Sequence, residues 1–149
     1  MKKLYTLFTV LAFYSVMTVD VVAKNFDNEV VTMVTQEARY NGINPAFALA
    51  VAEQESGFRC RIVSGHGAYG VMQIKYRTAQ SVGYKGSRKG LFDCKTSIKY
   101  GMIYLKLAVT KAKGDLCVAS NYYNKGLYTK YAKSKSSYCR GVLSKMKKW

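Results

Sequence analysis

The chain has 149 residues with 24 Lys and Arg against 8 Asp and Glu, a formal charge of +16. That length fits one ordinary domain and excludes a multidomain assembly or a chain too short to bury a core. Four cysteines at scattered intervals exclude the paired short spacings of a zinc site. The positive field attracts polyanions and speaks to partners rather than to fold.

Lys2 and Lys3 precede an almost wholly apolar run, Leu4 to Val19, and Val21 and Ala23 form a small-residue cleavage site. This is the pattern of a secretory signal over residues 1–23, removed after Ala23. The run is shorter than the roughly 20 residues that span a bilayer, so no membrane span is expected after removal. The remaining domain, residues 24–149, keeps a formal charge of +15, because Lys2, Lys3 and Asp20 leave with the signal. An exported chain with Cys60, Cys94, Cys117 and Cys139 is expected to hold two disulfides, for which the count allows three pairings.

Helix signals recur along that domain. Asp27 is a cap for a helix with Val30, Val31, Val34 and Ala38 on its apolar face, ended by Asn41-Gly42. Asn44-Pro45 reads as cap and first position of a helix from Ala46 to about Glu55. That segment is apolar on nearly every side, which predicts a buried central helix. A glycine-rich loop over 57–70 follows, with room for a minor strand, then a short helical turn near Val71 to Ile74. Asp93 caps a helix from about Thr96 to Ala112, with Ile98, Met102, Leu105, Val109 and Ala112 on one face and Gly114 as its stop. Asp115 opens a short helix through Tyr123, and Ser137 to Lys147 forms the last. The expected class is mainly α with a minor strand element, stapled by disulfides.

The chemistry concentrates at Glu53-Gln54-Glu55-Ser56. Glutamates two apart on a helix point to different sides, so only one can serve a cleft. A carboxyl pressed against this apolar helix has its charged form disfavoured and its pKa raised, as a general acid near neutral pH requires. Spacing alone leaves open whether these are two ordinary helix-end glutamates.

Four segments resemble one family. Ala48-Leu-Ala-Val-Ala-Glu-Gln-Glu-Ser-Gly-Phe58, Ser64-Gly-His-Gly-Ala-Tyr-Gly-Val-Met-Gln-Ile74, Leu91-Phe-Asp-Cys-Lys-Thr-Ser-Ile98 and Tyr122-Tyr-Asn-Lys-Gly126 stand in order between Asn44 and Tyr138. Together they resemble the soluble lytic transglycosylases, whose catalytic domain is related to goose-type lysozyme. The resemblance implies a lysozyme-like helical domain with Glu55 as catalytic acid and Glu53 structural. It places Ser56 and Ser64 beside the acid, Met72 and Gln73 on the sugar cleft, and Tyr123 and Asn124 facing Glu55. Tyr123 is then in position to hydrogen-bond the Glu55 carboxyl or a sugar hydroxyl.

The departures carry information too. Cys60 and Cys94 stand where the family commonly has proline, which points to a Cys60–Cys94 bridge and leaves Cys117 with Cys139. Lys125 replaces an alanine of the Tyr-Asn motif and brings a positive charge to the cleft.

The implied reaction is cleavage of the β-1,4 bond between N-acetylmuramic acid and N-acetylglucosamine with a 1,6-anhydro product. No metal or other cofactor is needed. After Glu55 the next acidic residue is Asp93, which has a capping role, so a second catalytic carboxylate is hard to find. The rivals are a muramidase on the same site and a weakly active wall-binding accessory protein. Nucleic-acid binding rests on charge alone and is not expected. The expected setting is the bacterial periplasm or exterior, with peptidoglycan strands as partner, and the chain acting as a monomer. Local wall opening for a secretion, pilus or conjugation system is expected from economy of size. His66, between two glycines, reads as a solvated loop residue.

Overall fold

The computed structural model describes residues 28–149. The expected signal and the Asp27 cap lie outside these residues. The first helix, α1, runs over 28–40, burying Val30, Val34 and Ala38. It stops at Asn41-Gly42, where Gly42 takes φ 69° and the Ile43 amide returns to the Ala38 carbonyl at 2.9 Å.

Asn44 then caps α2 (Pro45–Ser56), its side chain accepting from the Ala46 amide at 2.9 Å. Phe47, Ala48, Leu49, Ala50, Val51 and Ala52 are all buried. An all-round apolar helix is stable only when neighbours cover every side, and α2 is accordingly the centre of the main core. Gly57 ends it in the left-handed conformation at φ 58°.

A two-stranded antiparallel hairpin follows. β1 (Ala68–Tyr69) pairs with β2 (Ile74–Lys75) in the register Ala68 to Lys75 and Tyr69 to Ile74. The expected helical turn at 71–74 is therefore corrected: residues 70–73 are the hairpin turn, and Ile74 is already strand. Gly70 makes this turn possible. It adopts φ 68°, and any β-carbon there would collide with Ser97.

Two elements were absent from the sequence expectation. They are α3 (Tyr76–Ser81) and a 3-10 helix over Arg88–Phe92. Both are short, and they are held by a satellite core of Ile74, Ala79, Tyr84 and Leu91 rather than by any long periodic face.

The long helix α4 (Cys94–Lys111) begins two residues earlier than expected, with Asp93 accepting from the Thr96 amide at 2.9 Å. Ile98, Met102, Leu105 and Ala108 are its buried apolar face. Asp115 caps α5 (Leu116–Lys125), and Ser136 caps α6 (Ser137–Met146). Helix α6 packs on α2, and α5 packs on both α4 and α6.

The disulfides join Cys60 to Cys94 and Cys117 to Cys139, each with Cα atoms 5.0 Å apart. The first ties the loop after α2 to the start of α4, and the second ties α5 to α6. In a chain-entropy account, closing loops of these lengths contributes about 3–4 kcal/mol each.

Candidate active site

Glu55 sits in the last turn of α2 and lines a cleft of about 510 Å³. Ser64, His66, Gln73, Lys75, Tyr104, Tyr123, Asn124 and Lys125 lie around it. Burial raises the Glu55 pKa from 4.5 to about 7, against the opposing pull of a hydrogen bond from Tyr138. The negative end of the α2 dipole acts in the same direction as burial. The group is thus near half-protonated at neutral pH, as a residue that both gives and takes a proton requires.

Its partner is on α6. The Tyr138 hydroxyl donates to Glu55 Oε1 at 2.5 Å. Burial, then the Glu55 charge, pushes the Tyr138 hydroxyl well above its ordinary pKa, so it remains a donor. Tyr138 is one of thirteen tyrosines, and nothing in its spacing links it to Glu55. Its only mark in the sequence is its place at the end of the stretch that resembles the family.

Glu53 points elsewhere. Lys148 Nζ lies 2.7 Å from its Oε1, and the Trp149 indole donates to its Oε2 at 3.0 Å. The two glutamates divide as helix geometry requires, one to the cleft and one to the C-terminal residues.

Tyr123 behaves differently from the expectation. Its hydroxyl donates to the Met72 carbonyl at 2.7 Å rather than to Glu55. Burial and then the Glu55 charge hold its pKa well above the ordinary value. The Tyr123 ring is therefore a fixed wall of the cleft, tilted against Tyr104 with centroids 5.6 Å apart.

Two further expectations need correction. Ser56 is 2% exposed and does not line the cleft. Its hydroxyl donates to the Val71 carbonyl at 2.8 Å and accepts from the Arg59 amide at 3.1 Å, pinning the hairpin turn to α2. Met72 is wholly buried, with its side chain against Gly101 and its carbonyl held by Tyr123. Both residues sit behind the wall because their hydrogen bonds and apolar contacts are with the core. They set where Gln73 stands. Gln73 has φ 46°, and its amide group donates to the Gly70 carbonyl at 2.9 Å.

Ser64 and Asn124 do line the cleft. The Ser64 hydroxyl oxygen accepts from the Ala68 amide at 3.2 Å and closes the loop that carries His66. His66 is exposed, as a loop residue should be, but on the cleft wall. Lys75 and Tyr104 also line it and were not singled out from sequence. Each belongs to an element whose packing on its neighbours, not its own motif, brings it there. Among the described residues lining this cleft Glu55 is the one carboxyl.

A Transglycosylase SLT domain model matches residues 32–141, and the chain belongs to that family. Its fold is similar to an inactive mutant of the lytic transglycosylase Slt from Pseudomonas aeruginosa, with a TM-score of 0.68 and 24% identity over 77% of this chain and 23% of that one. It is also similar to the 70 kDa soluble lytic transglycosylase SLT70 from Escherichia coli, with a TM-score of 0.60 and 23% identity over 80% of this chain and 20% of that one. A complex of the 70-kDa soluble lytic transglycosylase with bulgecin A gives 0.62 and 23% over 77% and 20%. The chain thus spans under a quarter of the length of these solved proteins. The mainly helical fold matches that of these lytic transglycosylases, and the two disulfides are features of this chain.

Proposed function

We propose that this chain is a peptidoglycan lytic transglycosylase in which Glu55 is the single acid and base. The observation that carries the reading is a lone carboxyl in the cleft, raised to about 7 and oriented by Tyr138. Family membership supports the substrate class. Glycoside cleavage ordinarily uses two carboxyl groups, with substrate-assisted schemes as the exception. A cleft with one carboxyl suits the exception.

Protonated Glu55 gives its proton to the oxygen linking N-acetylmuramic acid to N-acetylglucosamine, and the bond from that oxygen to the muramyl C1 breaks. The acetamido oxygen of the muramyl residue stabilises the electron-poor C1. Glu55, now a carboxylate held by the Tyr138 hydroxyl, takes the proton of the muramyl 6-hydroxyl. O6 then bonds to C1, closing the 1,6-anhydro ring and returning Glu55 to its starting state. No water is consumed. Tyr123 and Gln73 are the fixed walls against which the sugars are held, with Ser64 and Asn124 contributing polar groups.

The same reading takes the chain to be exported after cleavage at Ala23 and to open the wall locally beside a secretion, pilus or conjugation machine. Mass spectrometry of digested peptidoglycan is the test. Anhydro-muropeptides are expected; products heavier by one water would make the enzyme a muramidase, and no products would leave a wall-binding protein.

A further inference from the structure

The walls of the cleft carry an unusual charge balance. Among the described residues that line it, two lysines, Lys75 and Lys125, stand against the single carboxyl of Glu55. Lys125 is the last residue of α5, where the helix dipole favours a cation. Its Nζ stands 5.2 Å from the centre of the Tyr131 ring, and Lys130 Nζ stands 5.2 Å from the same centre. Tyr131 is 54% exposed, so the stack joins Lys125 at the cleft to a solvent-facing ring. Among the described residues the one ion pair is Lys148 with Glu53. Neither Lys125 nor Lys130 is therefore paired with a carboxylate among the described residues; an aromatic face orients them and leaves their charge available.

If the substrate is the glycan of the proposed function, one chemical group matches this arrangement. The sugar backbone is uncharged, and its carboxylates are carried on the 3-O-lactyl arm of each muramyl residue. They are the lactyl carboxylate itself on a bare strand or those of the attached peptide. We propose that Lys125, steadied by Tyr131, is a specificity residue that binds a carboxylate on the lactyl arm as it leaves the cleft. This rests on the glycan-cleaving reading and adds the part of the substrate that is recognised by charge.

Binding measured by calorimetry on the uncleaving Glu55→Gln protein tests the proposal apart from turnover. Three oligosaccharides of equal length are compared: a bare N-acetylglucosamine–N-acetylmuramic acid strand, the same strand with its peptides, and an N-acetylglucosamine oligomer that has no lactyl arm. Adding Lys125→Met should weaken one or both muramyl ligands about three- to fivefold, the range of an exposed ion pair, and Lys125→Arg should restore it. The N-acetylglucosamine oligomer should not respond. Loss confined to the bare strand assigns the lactyl carboxylate, and loss confined to the peptide-bearing strand assigns the peptide carboxylates. Unchanged muramyl binding, or an equal loss on the uncharged oligomer, overturns the role of Lys125 while leaving the glycan reading intact. No binding of any of the three overturns both.

Discussion

Tyr138 and Glu55 are 83 residues apart in the chain, and the hydroxyl of one lies 2.5 Å from a carboxyl oxygen of the other. The contact joins α6 to the end of α2 and sets the direction of the acid. It also restrains how far burial can raise the Glu55 pKa.

Removing that hydroxyl should therefore move the acid's titration upward. In Tyr138→Phe a donor to the charged form is lost while burial is kept. The limb of the pH–rate profile that reports Glu55 should shift to higher pH, and the rate at neutral pH should fall by about tenfold as the carboxylate loses a hydrogen bond worth about 1.5 kcal/mol or more. Wall lysis followed across pH is the measurement; an unmoved limb would detach Tyr138 from the acid.

Glu55→Gln should abolish cleavage and also change how stability depends on pH. The folded-state pKa of about 7 lies above the ordinary 4.5, so the folded protein binds this proton more tightly than the unfolded chain does. The stability this contributes is complete below about pH 4.5 and is lost as pH rises through about 7. At pH 8 the loss approaches, at most, about 3 kcal/mol. Denaturant unfolding at both ends of this window should show wild type weakening relative to the Gln variant as pH rises. Parallel curves would contradict the raised pKa.

Asn121 is wholly buried and serves the same contact from a distance. Its amide nitrogen donates to the carbonyls of Ala132 at 2.8 Å and Ser134 at 2.6 Å, and its oxygen accepts from the hydroxyl of Ser136, the cap of α6, at 2.5 Å. Asn121→Ala leaves these groups unpartnered and should cost about 2–4 kcal/mol. Activity should fall further than stability predicts, since α6 carries Tyr138. Comparing chemical denaturation with lysis below the unfolding transition would separate the two effects.

Gly101 makes the close approach of α4 to Met72. A β-carbon there would overlap Met72 Cβ and come within 3.3 Å of the Tyr123 hydroxyl. Because the clash falls beside the backbone rather than at a flexible tip, Gly101→Ala should destabilise by about 1–3 kcal/mol. It should also lower activity by shifting the turn that presents Gln73. A thermal melt matching wild type would show that the turn yields without cost.

Sequence by itself determined a good deal of this molecule. The apolar run from Ala46 to Ala52 demanded burial on every side, and α2 is central. The caps Asn44, Asp93 and Asp115 act where their types predict, because a short polar side chain beside free amides is a local matter. The opposed facing of Glu53 and Glu55 also follows from helix pitch alone, although choosing Glu55 took the resemblance. The resemblance, through two displaced prolines, likewise pointed to the disulfide pairs that the structure contains.

Tertiary structure alone decided the rest. Whether Ser56 and Met72 face sugar or core depends on what packs behind the hairpin turn. The partner of Glu55 comes from a helix that no spacing rule connects to it, while the hydroxyl of Tyr123, for which the Glu55 carboxyl or a sugar hydroxyl was expected, donates to the Met72 carbonyl. Capping and periodicity act within a few residues, and so they are written in the local sequence. The environment that raises the acid and the hydroxyl that steadies it come from α2 and α6 brought together, and only the packed chain contains that proximity.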